Sequence, residues 1–79
     1  MKKTYQEALE AAAAILIMKW QLHEKQNWSG DYTEDDWDFE RDDLAYYIAA
    51  AYGLDNPYFV GHEINKLVAP EIWSCTIED

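Results

Sequence analysis

Apolar residues in the first third of the chain recur at the spacing of one face of an α-helix. Tyr5, Leu9, Ala12 and Leu16 follow one another at intervals of three or four residues, and His23 lies on the same face seven residues later. Thr4 and Glu7 have the spacing of a capping box, in which each side chain accepts a hydrogen bond from the backbone N–H of the other residue. No Gly or Pro interrupts the pattern before Ser29 and Gly30, which are expected to end the helix. A helix is therefore predicted over about 4–26.

Residues 11–18 are apolar on every side of this helix, which is more than a surface helix needs to bury. Two explanations are open. Either two other helices of the same chain cover the stretch from both sides, or a second copy of the protein packs against it. The second explanation predicts a homodimer through the first helix.

The middle of the chain carries start and stop signals for a second helix over about 34–52. Thr33 and Asp36 form another capping signal, and acidic residues fill the first turn, where the helix dipole favours them. Gly53 is typical of the residue that follows a helix C-cap. The helical period assigns the core face of this helix to Trp37, Leu44, Ile48 and Ala51.

A third helix is predicted over about 57–69. Asn56 suits the N-cap and Pro57 suits the first helical position. The N–H that proline lacks would have no hydrogen-bond partner within the helix at that position. Pro70 is expected to end the helix, and Gly61 within it is expected to mark close packing between helices. The buried face is predicted at Val60, Ile64, Leu67 and Val68. A short tail then follows, with predicted anchors at Ile72, Trp73 and Ile77.

These elements predict an all-α fold, a compact bundle of three helices with a short C-terminal tail, in a single domain spanning 1–79. A chain of 79 residues forms one domain at most. Hydrophobic residues make up 49% of it and aromatic residues 15%, which is ample for a core. The single cysteine, Cys75, cannot form an intramolecular disulfide and fits a reducing cytoplasm.

The net charge of −10 lies mainly in the middle of the chain. Residues 1–27 carry a net +1, residues 28–55 a net −8 and residues 56–79 a net −3. Repulsion therefore disfavours direct binding to nucleic acid or to an anionic membrane. The apolar run near the N-terminus is too short to span a bilayer, and no small-residue cleavage site follows it. A cytoplasmic protein is expected.

The titratable residues match no catalytic or metal-binding motif. Nothing in the local sequence indicates a catalytic thiolate–imidazole pair between Cys75 and His23 or His62. Neither histidine is followed by the second histidine of a zinc-binding HExxH motif. We therefore expect no enzyme activity.

A calcium-binding loop and a phosphate-binding loop are also excluded. Asp36, Asp38 and Glu40 fall at positions 1, 3 and 5 of a calcium loop. The glycine and glutamate that such a loop requires are replaced by Arg41 and Tyr47. Because no glycine-rich segment is present either, we expect no metal and no cofactor.

The second predicted helix carries seven acids within ten residues. Ten helical residues span roughly 15 Å, so the charge spacing of about 2 Å is of the same order as the 1.7 Å of duplex DNA. The acids lie along two ridges with Phe39, Tyr46 and Ala50 between them. A partner with a basic groove is expected to bind this surface. The predicted partner-binding residues are Glu34, Asp35, Asp36, Asp38, Phe39, Glu40, Asp42, Asp43 and Tyr46.

A second interpretation of the same residues is structural. Acidic runs commonly form solvated faces that keep a protein soluble. Phe39 and Tyr46 would then form a second core face against the first helix.

A compact acidic domain of this size, without motifs or disulfides, resembles the small inhibitors that bacteriophages carry. This group includes anti-CRISPR proteins and DNA mimics directed at restriction or repair enzymes. The resemblance implies a viral inhibitor in the host cytoplasm that occupies a nucleic-acid-binding surface of a host defence complex and blocks access to it. The alternatives are a homodimeric structural or assembly protein, and an antitoxin-like partner of a basic toxin.

Overall fold

The computed structural model describes residues 4–73, which form three α-helices. α1 spans Tyr5–Lys25, α2 spans Glu34–Ala51 and α3 spans Pro57–Ile72. Every pair of these helices is in contact, and residues 4–73 contain no strand. The predicted all-α bundle of three helices is confirmed. Within the same residues, no helix combines the length and the apolar character that crossing a membrane requires.

Local side-chain caps fix where each helix begins. The Thr4 hydroxyl accepts a hydrogen bond from the Glu7 N–H at 3.2 Å, and the Glu7 carboxylate accepts one from the Thr4 N–H at 2.9 Å. Thr33 and Asp36 repeat this exchange at 3.3 and 2.8 Å. Asn56 caps α3 by accepting a hydrogen bond from a backbone N–H of its first turn at 3.0 Å. The three starting signals predicted from the sequence are therefore confirmed.

Both α1 and α2 end in a Schellman motif, in which a left-handed residue follows the C-cap and the next N–H donates to a carbonyl five residues earlier. After α2 the left-handed residue is Gly53, with φ of 69°. After α1 it is Asn27, with φ of 58°, and the N–H of Trp28 completes the motif at 2.8 Å. The residue that ends α1 is therefore Asn27 and not the predicted Gly30, three residues later. Asparagine can take this role because it also tolerates the left-handed conformation.

α3 continues past Pro70 to Ile72, so the prediction that Pro70 ends this helix is wrong. A proline in a helix interior removes one hydrogen bond and costs about 3 kcal/mol. The additional turn packs Ile72 and Trp73 against the core, which offsets that cost. The predicted anchor Ile77 and the single thiol Cys75 lie outside the described residues.

The core is formed by one face of each helix around a fully buried Trp37. The indole N–H of Trp37 donates to the Leu16 carbonyl oxygen at 2.9 Å and joins α2 to α1. The other buried hydrophobic residues in the range 4–73 are Leu9, Ala12, Ala13, Leu16, Ala45, Ile48, Ala49, Val60, Ile64, Val68 and Ala69. Leu67, predicted on the buried face of α3, is half-buried.

The buried face of α2 differs from the predicted one by a rotation of the helix. Ala51 is exposed, so its assignment to the core is wrong, and Leu44 is only half-buried. Ala45 and Ala49 are buried instead. Ala45 faces Gly61 of α3, where an added Cβ would lie at an ordinary contact distance of 3.7 Å from the Cβ of Ala45.

The apolar stretch of α1 is covered on only one side. The other two helices bury Ala12, Ala13 and Leu16. On the opposite side, Ile15 and Met18 remain 43% and 63% exposed. The packing of one chain therefore does not account for the whole stretch.

Candidate functional site

The outward face of α2 carries three large aromatic rings. Phe39, Tyr46 and Tyr47 are 61–67% exposed. Phe39 and Tyr46 therefore do not form a second core face against α1. Aromatic side chains bury about 150–250 Å² each when they are covered, so these rings leave a substantial apolar area in contact with water.

Glu40 points toward α1 and is engaged within the protein. Its carboxylate accepts hydrogen bonds from the Lys19 ammonium at 2.7 and 2.8 Å and from the Tyr32 hydroxyl at 2.6 Å. Burial raises the pKa of Glu40, but these hydrogen bonds outweigh burial, so its pKa lies below the usual value. Burial and the same hydrogen bond raise the pKa of Tyr32. Glu40 therefore links α1 to α2 through its ion pair with Lys19, although the sequence analysis predicted it to be a partner-binding residue.

Arg41 lies between two acids of the predicted surface. Its guanidinium is 3.4 Å from Asp38 and 3.2 Å from Asp42. It also donates to the side-chain oxygen of Asn65 on α3 at 3.3 Å and lies 5.8 Å from the Trp37 ring centroid. The Asp38 and Asp42 side chains remain 52% and 58% exposed. Arg41 therefore positions both carboxylates while leaving them accessible.

The other predicted acids divide into two groups. Asp36 is half-buried and caps α2 through Thr33. Glu34, Asp35 and Asp43 are exposed and form no ion pair with any residue in the range 4–73. The carboxylates available to a partner are thus those of Glu34, Asp35, Asp38, Asp42 and Asp43.

The internal ion pairs lower the charge density of the surface. Lys19 and Arg41 lie against the seven acids, which leaves five uncompensated negative charges over roughly 15 Å of helix. The spacing is then about 3 Å, close to the roughly 3.4 Å of one DNA strand and wider than the 1.7 Å of the duplex.

A cleft of about 190 Å³ opens between α2 and the start of α3, lined by Asp42, Ala45, Tyr46, Pro57 and Tyr58. Its volume is several times the ~30 Å³ of one liquid water molecule, so a side-chain headgroup can enter it. The sequence indicated Asp42 and Tyr46 but not Pro57 and Tyr58. The Asn56 cap indicates from the sequence where α3 begins. No sequence motif indicates that the first turn of α3 packs against the middle of α2.

The two histidines have different surroundings. His23 is stacked on the Tyr32 ring at a centroid distance of 4.0 Å, and His62 is exposed. Among residues 4–73, no three His, Cys, Asp or Glu side chains are grouped in a way that could hold a metal ion.

No protein-family model, curated protein or solved structure matches this chain.

Proposed function

We propose that this protein is a small acidic inhibitor that binds a basic, nucleic-acid-binding surface of a host defence complex and blocks nucleic-acid access, as an anti-CRISPR-like protein would. The proposal is carried by the alternation of exposed aromatic rings with accessible carboxylates on one face of α2. The binding surface comprises Glu34, Asp35, Asp38, Phe39, Asp42, Asp43 and Tyr46, with Asp36 and Glu40 supporting it structurally.

The exposed rings favour partner binding over a surface that only confers solubility. A solubilising face needs charge, and exposed Phe or Tyr side chains work against solubility. Aromatic residues are enriched at protein interfaces, where they provide most of the buried area and binding energy. Phe39 and Tyr46 therefore supply the apolar contact, and the neighbouring carboxylates supply charge-assisted hydrogen bonds to lysine or arginine.

The cleft beside these rings suits an arginine of the partner. A planar guanidinium stacks on tyrosine rings and pairs with a carboxylate through two parallel hydrogen bonds. Tyr46, Tyr58 and Asp42 offer both kinds of contact within one cavity. The positive end of α3 contributes only about half a charge nearby, which is less than the full charge of Asp42.

The residual charge spacing of about 3 Å is close to the roughly 3.4 Å axial spacing of the phosphates along one strand of a duplex. A basic groove that holds a nucleic-acid backbone would be occupied by α2 and closed to its nucleic acid. Added DNA should therefore compete with the protein for its captured partner.

Charge reversal on α2 tests the proposal. The immobilised protein should capture a nucleic-acid-binding complex from bacterial lysate at low salt, and the captured protein is identified by mass spectrometry. Replacing Asp38, Asp42 and Asp43 by Lys should reduce capture about a hundredfold, because three charge-assisted contacts become repulsive. Circular dichroism should show that the helical content is unchanged.

The matched control carries the same charge change on exposed acids elsewhere, with Glu10, Glu24 and Glu71 replaced by Lys. It should retain capture within about threefold. Equal loss in both variants would show that only the net charge matters and would overturn the proposal. Capture that resists high salt, or recovery of a basic toxin that binds no nucleic acid, would also contradict it.

A further inference from the structure

α1 exposes a second regular apolar row, on the side away from the core. The row consists of Ala11, Ile15, Met18 and Leu22, all of which are exposed. They are separated by four, three and four residues, which is the a and d spacing of a heptad repeat. Helices with this spacing bury their a and d side chains against a partner helix. The three large side chains of the row, Ile15, Met18 and Leu22, instead remain 43–63% exposed.

We propose that a second copy of this chain packs on this row and forms an antiparallel homodimer through α1. The distribution of charge favours this occupant. α1, with three glutamates and two lysines, carries a net −1, whereas α2, with seven acids and Arg41, carries a net −6. Contact through α1 therefore brings together weakly charged surfaces of two acidic chains.

The charges at the ends of α1 determine the antiparallel orientation. The first turn contains Glu7, and the last turn contains Lys25. An antiparallel pair brings Glu7 close to Lys25 of the other copy at both ends and opposes the two helix dipoles favourably. A parallel pair would place each charge next to its own equivalent.

The sizes of the side chains determine the register. In an antiparallel pair an a position faces a d position, so Ile15 faces Met18 of the other copy at the two-fold axis. Ala11 then faces Leu22 of the other copy. Each small residue lies opposite a large one, which lets the two rows interdigitate without a cavity. The contact is isologous and closed, as in most homodimers.

The homodimer does not depend on the proposed inhibitory function. The two proposals predict opposite effects of added salt, so they can be tested separately. Two chains of net charge −10 repel each other, so added salt should strengthen the dimer by screening that repulsion. Capture of a basic partner through α2 should weaken with salt instead.

Sedimentation equilibrium tests the dimer in the intact protein. At about 50 micromolar the mass should approach twice the 9.3 kDa of one chain, since micromolar affinity is ordinary for a short helical interface. Met18→Glu should weaken the dimer about a hundredfold, because it would bury a carboxylate at the two-fold axis. Phe39→Glu changes an equally exposed residue on α2 and should leave the dimer intact.

Either of two results overturns the homodimer: a monomeric protein at this concentration, or a Met18→Glu variant that still dimerises. Both substituted positions are at least 63% exposed, so circular dichroism should show folded variants. Reciprocal behaviour is expected in the capture assay, where Phe39→Glu should lose the partner and Met18→Glu should retain it.

Disulfide cross-linking tests the orientation. In a Cys75→Ser background, chains carrying Ala11→Cys are mixed with chains carrying Leu22→Cys under mild oxidation. The mixture should form heterodimeric disulfides, because these positions face each other in the antiparallel register and disulfides require Cα atoms within about 7 Å. Cross-linking of either variant with itself would show a parallel pair and overturn the antiparallel arrangement.

Discussion

Glu40 illustrates how one side chain can join two helices while its neighbours face solvent. It accepts hydrogen bonds from Lys19 on α1 and from Tyr32 in the connection that precedes α2. The Lys19 and Glu40 side chains are 39% and 36% exposed, so water screens much of their attraction. The neutral Tyr32 hydroxyl adds a bond of 2.6 Å that also favours the ionised carboxylate.

Replacing Glu40 by Gln should therefore produce a pH-dependent loss of stability. The pKa of Glu40 in the folded protein lies below its ordinary value of 4.5. Its stabilising contribution is thus present above that value and is lost as the pH falls through the folded pKa. We expect Glu40→Gln to cost about 1 kcal/mol at neutral pH, measured by urea unfolding at one fixed protein concentration.

The same measurement below the folded pKa of Glu40 provides the check. The wild type and Glu40→Gln should converge there, because protonated glutamate no longer attracts Lys19. Asp43→Asn serves as the control, since Asp43 is exposed and forms no ion pair with residues 4–73, and it should not destabilise the protein at neutral pH. An equal penalty for Glu40→Gln at both pH values would show that charge is not the cause.

At the scale of the helices, each boundary is set by local backbone chemistry, whereas packing sets the distance between helices. Gly53 adopts φ of 69° to end α2, a conformation in which a Cβ is strained. Gly61 lies inside α3 with ordinary helical geometry, and a Cβ there would meet Ala45 at a normal contact distance of 3.7 Å. The two glycines therefore have different roles.

Alanine at these two glycines should have opposite effects on stability. Gly61→Ala should raise the free energy of unfolding by about 0.5–1 kcal/mol, because alanine loses less backbone entropy on folding and fits the available space. Gly53→Ala should lower it by about 1–2 kcal/mol. Urea titration of the two variants beside the wild type measures both effects. Destabilisation by Gly61→Ala would show that α2 and α3 cannot accommodate a methyl group.

At the scale of the whole molecule, tryptophans from α1, α2, the connection between them and the C-cap of α3 meet in one cluster. The ring of Trp20 contacts those of Trp28, Trp37 and Trp73 edge to face, with centroid distances of 5.0 to 5.9 Å. Trp73 also contacts Trp37 directly at 5.9 Å. Edge-to-face pairs add about 0.5–1.5 kcal/mol each beyond the area that they bury. A small domain with a large net charge depends on such contacts to hold its helices together.

Removal of Trp73 should therefore destabilise the entire bundle. We expect Trp73→Ala to lower the free energy of unfolding by about 2–3 kcal/mol, somewhat less than for a fully buried tryptophan. Thermal and urea unfolding followed by circular dichroism measure the change. Tyr58→Ala is the control, because Tyr58 is 86% exposed and should cost less than about 0.5 kcal/mol. Similar losses in both variants would show that the cluster contributes little.

The sequence by itself determined the number of helices and most of their ends. Capping boxes at Thr4 and Thr33, the Asn56 cap and the stop at Gly53 depend on groups a few residues apart, so no tertiary contact is needed to recognise them. Two stops differ from the predicted ones: Asn27, not Gly30, follows α1, and α3 continues past Pro70. The packing of Trp73 that favours the longer α3 depends on residues distant in sequence, so local rules do not predict it.

Only the tertiary structure decided how α2 is rotated between its neighbours. α2 has apolar residues on several sides. The helical repeat shows which of its residues share a face, but it does not show which face is buried. Packing of α2 against both neighbouring helices leaves Phe39 and Tyr46 exposed to water and turns Glu40 toward Lys19. The cleft at Tyr58 arises in the same way, because it joins side chains from two helices whose relative position is fixed only when the core is packed.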